Sequence, residues 1–141
     1  MNSLKDLKDI SSDYSILYVE DDKDIQKLFG NVLHKLFSDV TIASDGEEGL
    51  DLFKQDINKF DFIVSDIQMP QMDGLDMIEE IKKIRADIPC ILTTAHGEFD
   101  YFMRANELGI FRYIQKPLDI DELLEAINDF QCGLEVKKID L

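Results

Sequence analysis

The sequence predicts a three-layer α/β/α sandwich, a five-stranded parallel sheet covered on both faces by five helices. Three observations lead there. Short continuous apolar runs alternate with amphipathic helical patterns five times over, and the connections between them are short. Strand–helix–strand repetition of this kind implies a parallel sheet with helices on both faces. The 141 residues, 45% of them hydrophobic and nine of them Phe, suit one compact domain with a continuous core.

The elements follow in order. Ile16-Leu17-Tyr18-Val19 is a short apolar run, as expected of a strand buried on both faces. Ile25, Leu28, Phe29, Val32, Leu33, Leu36 and Phe37 recur at three- and four-residue spacings, one stripe of an amphipathic helix. Asp22 and Asp24 lie at its start, where carboxylates satisfy free N–H groups and suit the positive end of the dipole. Val40-Thr41-Ile42-Ala43 is a second, weaker strand, and Asp45-Gly46 turns the chain into a helix carrying Leu50, Leu52 and Phe53. Phe62-Ile63-Val64 is the third strand and ends at Ser65-Asp66. Met69-Pro70 and Asp73-Gly74 shape the next loop and start a helix with Leu75, Ile78, Ile81 and Ile84. Pro89 opens the fourth strand, Cys90 to Thr94, and a helix from about Glu98 to Leu108 ends at Gly109, a left-handed cap. Phe111 to Ile114 is the fifth strand. Lys116-Pro117 breaks it, and Asp119 opens a last helix carrying Leu123, Leu124, Ile127 and Phe130.

Composition narrows the function classes. Thirty acidic side chains against fifteen basic ones leave a formal net charge of −15, which repels nucleic-acid phosphates and anionic membranes. Lys137-Lys138 is too short a basic stretch to offset it. No apolar run approaches the ~18–20 residues that span a bilayer, and the N-terminal residues carry no signal-peptide pattern. Cys90 and Cys132 form no CxxC pair, and His34 and His96 are not spaced as metal ligands. A cytoplasmic location is expected, with residues 1–13 an N-terminal extension, 14–131 the domain, and 132–141 a tail or the start of a linker to an absent effector domain.

In doubly wound sheets, functional groups collect outside the carboxyl ends of the strands. Here those ends carry Glu20-Asp21-Asp22, Asp66, Thr93-Thr94 and Lys116. If the first and third strands are neighbours, Glu20, Asp21 and Asp66 converge. Three carboxylates so close repel one another unless a cation compensates them. An all-oxygen ligand set without His or Cys suits Mg²⁺. Lys116 then offers a mobile cation for an anionic group and Thr94 a short hydroxyl donor. Together they describe a pocket for a phosphoryl group carried by an aspartate beside Mg²⁺.

These residues also resemble a known family. LYVEDDKD, VSDIQMPQMDG, LTTA and YIQKP look like the four signatures of response-regulator receiver domains, in order and on matching elements. The resemblance runs from about Tyr14 to Phe130 and implies a flavodoxin-like strand order, 2-1-3-4-5. It implies that Asp66 accepts the phosphoryl group from a sensor histidine kinase or phosphotransfer protein. It makes Asp21 a direct Mg²⁺ ligand, has Glu20 act through a metal-bound water, and adds the backbone carbonyl of Gln68. Thr94 and Lys116 would contact the phosphoryl oxygens, and Tyr113 would be the aromatic switch residue. Asp22 falls one position beyond the acidic pair and reads as a helix cap. Gln68 and His96 occupy the variable positions that tune signal lifetime. The surface of the fourth helix, fifth strand and fifth helix would carry the output, including possible homodimerisation.

Two other classes compete. An aspartate-nucleophile hydrolase needs an acid two residues after its nucleophile, where this chain has Gln68, and a cap-domain insertion, which it lacks. A phosphorylation-independent binding module would not require the intact set of Asp21, Asp66, Thr94 and Lys116.

Overall fold

The computed structural model describes residues 14–94, 102–110, 112–116, 119, 121–126 and 128–129. The strands are β1 (Ser15–Val19), β2 (Asp39–Ala43), β3 (Phe62–Asp66), β4 (Cys90–Thr94) and β5 (Arg112–Gln115). Between them run helices α1 (Lys23–Leu36), α2 (Gly46–Gln55), α3 (Gly74–Ile84) and α4 (Phe102–Leu108). A fifth helix, α5, follows at residues 121–126 and 128–129. All strand pairs are parallel, and the sheet order is β2-β1-β3-β4-β5. The expected class, order and helix count are therefore those observed.

Period-two alternation along the strands divides the core in two. Leu17, Val19, Ile63, Cys90 and Leu92 face one side, where Leu50 and Phe53 of α2 and Leu75, Ile78 and Ile81 of α3 cover them. Ile16, Tyr18, Phe62, Val64, Ile91 and Ile114 face the other, beneath Leu33 and Leu36 of α1 and Leu123, Leu124 and Ala126 of α5. Central strands buried on both faces leave no polar position until their carboxyl ends, and this is why the functional groups gather there. Cys90 is fully buried, as its apolar surroundings require, and burial pushes its thiol up to about 12.

The helix starts form as their sequences suggest. Asp22 caps α1, its side chain accepting from the N–H groups of Asp24 and Ile25. Asp45 caps α2 and Asp73 caps α3 in the same way. Gly109 closes α4 with φ of +73°. Two apolar positions depart from expectation. Leu28 is 61% exposed, because it lies about 140° around the helix from buried Leu33, outside the covered stripe. Ile84, the last residue of α3, is 41% exposed. β5 starts at Arg112; Phe111, Glu98, Ile127, Phe130 and Cys132 lie outside the described residues.

Candidate functional site

β1 delivers Glu20 and Asp21 to the end of the sheet. The backbone of Glu20 is held on both sides: its N–H donates to Ala43 at 3.0 Å, and its carbonyl accepts from Gln26 Nε2 at 2.9 Å. Glu20 is 2% exposed, and its side chain accepts the Asp22 N–H at 3.1 Å. Asp22 thus caps α1 with its side chain, as expected, and steadies Glu20 with its backbone, which sequence reading missed.

β3 delivers Asp66, 4% exposed and paired in register with Thr93 of β4. Its Oδ1 accepts the Ile67 N–H at 2.8 Å, and its Oδ2 accepts Lys116 Nζ at 2.6 Å. The same Nζ lies 3.9 Å from Glu20 Oε1. One ligand oxygen each from Glu20, Asp21 and Asp66 falls within a span of 4.8 Å, with Asp21 the more solvent-facing member. The adjacency of β1 and β3 therefore brings together the three carboxylates, and Lys116 reaches them from the end of β5.

The electrostatics show a site short of positive charge. Burial, with the charge of Asp66 added, pushes Glu20 up to about 7, against the opposing Asp22 N–H and Lys116. Burial also raises Asp66, outweighing its hydrogen bond and attraction to Lys116. Burial works to lower Lys116, but its hydrogen bond to Asp66 and the surrounding carboxylates prevail and raise it. One ammonium does not neutralise three carboxylates. A divalent cation with oxygen preference fits this donor set, since hard cations bind carboxylates that would otherwise repel.

The loop after β3 is built around a close approach. Gly74, at the start of α3, donates its N–H to Ile67 at 2.7 Å, and a Cβ there would collide with the backbone oxygen of Asp66. Gln71 takes φ of 71° in the same loop. Gly74→Ala should therefore displace the end of β3, at a cost of about 1–3 kcal/mol as for other overpacked sites. Urea unfolding checks this, and an unchanged midpoint would mean that the loop absorbs the methyl group freely. The Asp-Gly pair signalled the helix start in the sequence, but nothing local signalled its contact with Asp66.

The other expected residues fall as follows. Thr94 pairs with Gln115 in the β4–β5 register, and its side chain lies outside the described residues, as does His96. Thr93 beside it is buried, its hydroxyl directed at the Ser65 carbonyl at 3.5 Å. Gln68 is exposed, two residues beyond Asp66 in the loop that leaves the site. Tyr113 is half-buried on β5 and donates its hydroxyl to Asn106 Oδ1 of α4 at 3.3 Å. His34 is exposed on the last turn of α1, and the acidic trio is the one potential metal-binding group among the described residues.

Residues 16–128 match the family model of the response regulator receiver domain. The chain belongs to this family. It is 37% identical over 114 residues to the transcriptional regulatory protein GlrR of Escherichia coli, an alignment covering 81% of this chain and 25% of that protein. It thus spans about a quarter of the length of the first curated relatives it matches. It is 32% identical over 115 residues to sporulation initiation phosphotransferase F of Bacillus subtilis, covering 82% of this chain and 91% of that one. A receiver domain from Clostridium thermocellum superposes with a TM-score of 0.79 at 32% identity, covering 91% and 99% of the two chains. The chain is accordingly a receiver domain of the two-component response-regulator kind. No helix among the described residues is long and apolar enough to cross a membrane.

Proposed function

We propose that Asp66 is the phosphoryl acceptor of this receiver domain, in a Mg²⁺-dependent reaction with the phosphohistidine of a sensor histidine kinase or phosphotransfer protein. One observation carries the proposal: a buried carboxylate at the end of β3 is gripped by Lys116 at 2.6 Å and lies beside two further carboxylates. Glu20, Asp21, Asp66 and the backbone carbonyl of Gln68 would hold the ion, Glu20 through a water. Bound there, Mg²⁺ supplies positive charge to the phosphoryl oxygens and offsets the carboxylate crowding.

A carboxylate oxygen of Asp66 attacks phosphorus, the phosphorus–nitrogen bond of the donor breaks, and the leaving imidazole nitrogen keeps the electron pair and is protonated. Asp66 becomes an acyl phosphate. The Ile67 N–H keeps the carboxyl group oriented through Oδ1. Lys116, already on Oδ2, shifts its hydrogen bonds to the new phosphoryl oxygens, and Thr94 adds its hydroxyl. Water later hydrolyses the acyl phosphate, so uptake and loss of the group are the domain's own activities. Gln68 and His96, at the family's variable positions, would tune how easily that water reaches the acyl phosphate.

The added charge biases two pre-existing states through their different contacts with the phosphoryl group. Thr94 drawn inward frees room for Tyr113 to leave Asn106 for the core, which reshapes the α4–β5–α5 surface for a partner, an effector or a second copy. Residues 1–13 then form an extension to the 14–131 domain, and residues 132–141 a tail or a linker to an effector. The net charge argues against direct nucleic-acid binding by this domain, and a histidine-kinase partner implies the cytoplasm.

Phosphoramidate, whose phosphorus–nitrogen bond matches that of phosphohistidine, tests the proposal. Wild type should gain one phosphoryl group with Mg²⁺ and none with the metal chelated; equal uptake in both conditions would contradict it. Lys116→Ala should still bind Mg²⁺ but fail to pass the modification to Tyr113. Tyr113 resonances that move as in wild type on phosphorylation would dismiss that role for Lys116.

A further inference from the structure

A polar group lies beneath the carboxylates that neither the fold nor the phosphoryl chemistry uses. Tyr18 is 2% exposed, with its ring in the core under α1 and α5. Its hydroxyl is the one buried side-chain polar atom with no protein hydrogen-bond partner among the described residues. A buried hydroxyl without a partner is unfavourable, and Phe would fill the same space without that penalty.

The position of this hydroxyl in the sheet indicates its partner. Tyr18 precedes Glu20 by two residues, so strand alternation places both on one face of the β1 line. On the neighbouring strand Tyr18 stands beside Val64, and Asp66 lies two residues beyond it. A tyrosine phenol carries its proton at neutral pH. It is therefore an O–H donor in a neighbourhood rich in acceptors. The Glu20 carboxylate has about four lone-pair sites, one of them engaged by the Asp22 N–H.

We propose that Tyr18 is a positioning residue of the acidic cluster, its buried O–H donating through an internal water toward the Glu20 carboxylate and holding it ready for the metal. A neutral donor of this kind orients a ligand without changing the charge of the site, as outer partners do around metal ligands generally. The inference rests on reading Glu20 as a metal-site carboxylate.

The metal-free protein tests the contact first. With ¹³C at the tyrosine ζ-carbons, Glu20→Gln should shift the Tyr18 signal more than those of Tyr14 and Tyr113, because this carbon reports on hydrogen bonding of its oxygen. Calorimetric titration of Tyr18→Phe with Mg²⁺ should show binding weakened roughly tenfold, the low end for an outer partner. In the Glu20→Gln background the same substitution should have no further effect. A Tyr18 signal indifferent to Glu20→Gln, or a Tyr18→Phe protein that binds Mg²⁺ as wild type does, would overturn the proposal. If Tyr18→Phe does not fold, the ζ-carbon shift decides alone. Wild type that binds no Mg²⁺ would instead sink the metal reading, while the metal-free shift still reports whether Tyr18 and Glu20 are linked.

Discussion

Asp66→Asn is expected to take up no phosphoryl group from phosphoramidate while keeping the wild-type fold. The amide has nearly the shape of the carboxylate but lacks its nucleophilic charge, so the acyl phosphate cannot form. Its oxygen can still accept from the Ile67 N–H, the contact that seats Oδ1 at 2.8 Å. Two stability effects oppose each other. Lys116 loses its 2.6 Å partner but retains Glu20 at 3.9 Å, and a crowded, buried carboxylate whose pKa burial raises is removed. Breaking a buried pair destabilises, whereas relieving like-charge repulsion stabilises. Near-cancellation leaves the melting temperature of the metal-free variant within about 5 °C of wild type, the shift expected from roughly 1 kcal/mol. Mass spectrometry and a thermal melt on the same sample check both halves. Undiminished uptake would mean another acceptor, and a collapsed fold would mean that Asp66 is structural first.

The second large effect is expected at Asp21. Asp21→Ala removes a direct ligand from a trio whose oxygens span 4.8 Å, and two carboxylates with a nearby lysine are a poor substitute. Mg²⁺ affinity should fall by about 100-fold or more, exceeding the ~10–100-fold typical of losing an outer partner. Because ligands that bind only the native state stabilise it by mass action, wild type should melt higher as Mg²⁺ is added. The variant should show almost no such rise at the same concentrations. Equal Mg²⁺-induced rises would mean that the carboxylates do not share an ion. Being the more solvent-facing member, Asp21 can be removed without opening the core, so the metal-free melt should change little.

Much of this fold is legible because its central strands are buried on both faces. Ile16 to Val19 and Phe62 to Val64 read as unbroken apolar runs, and the first charged residues after them are Glu20 and Asp66, by necessity at the strand ends. Lys116 was legible from its place directly after β5, at the carboxyl end of the other edge strand. The edge strand β2 was the weaker signal, since four of its five residues are only partly buried, and it starts one residue earlier than its apolar run suggests. Leu28 was misread because spacing alone does not fix the width of the covered stripe on α1. What depends on close approach in three dimensions left no local trace. The collision that a side chain at Gly74 would make with Asp66 and the unpartnered Tyr18 hydroxyl arise from how the elements pack, and the Asp22 N–H on Glu20 from a tight turn that the residue types do not specify. The switching roles proposed for Thr94 and Tyr113 rest on a difference between two states rather than on a local sequence pattern.

The most direct measurement is the identity of the modified residue. Wild type treated with phosphoramidate and Mg²⁺ is reduced with borohydride, which converts an aspartyl phosphate into homoserine, and the digest is sequenced by mass spectrometry. The account predicts homoserine at position 66, dependent on Mg²⁺ and absent after treatment of Asp66→Asn. Homoserine at Asp21, Asp22 or any other carboxylate, with position 66 unchanged, would contradict it.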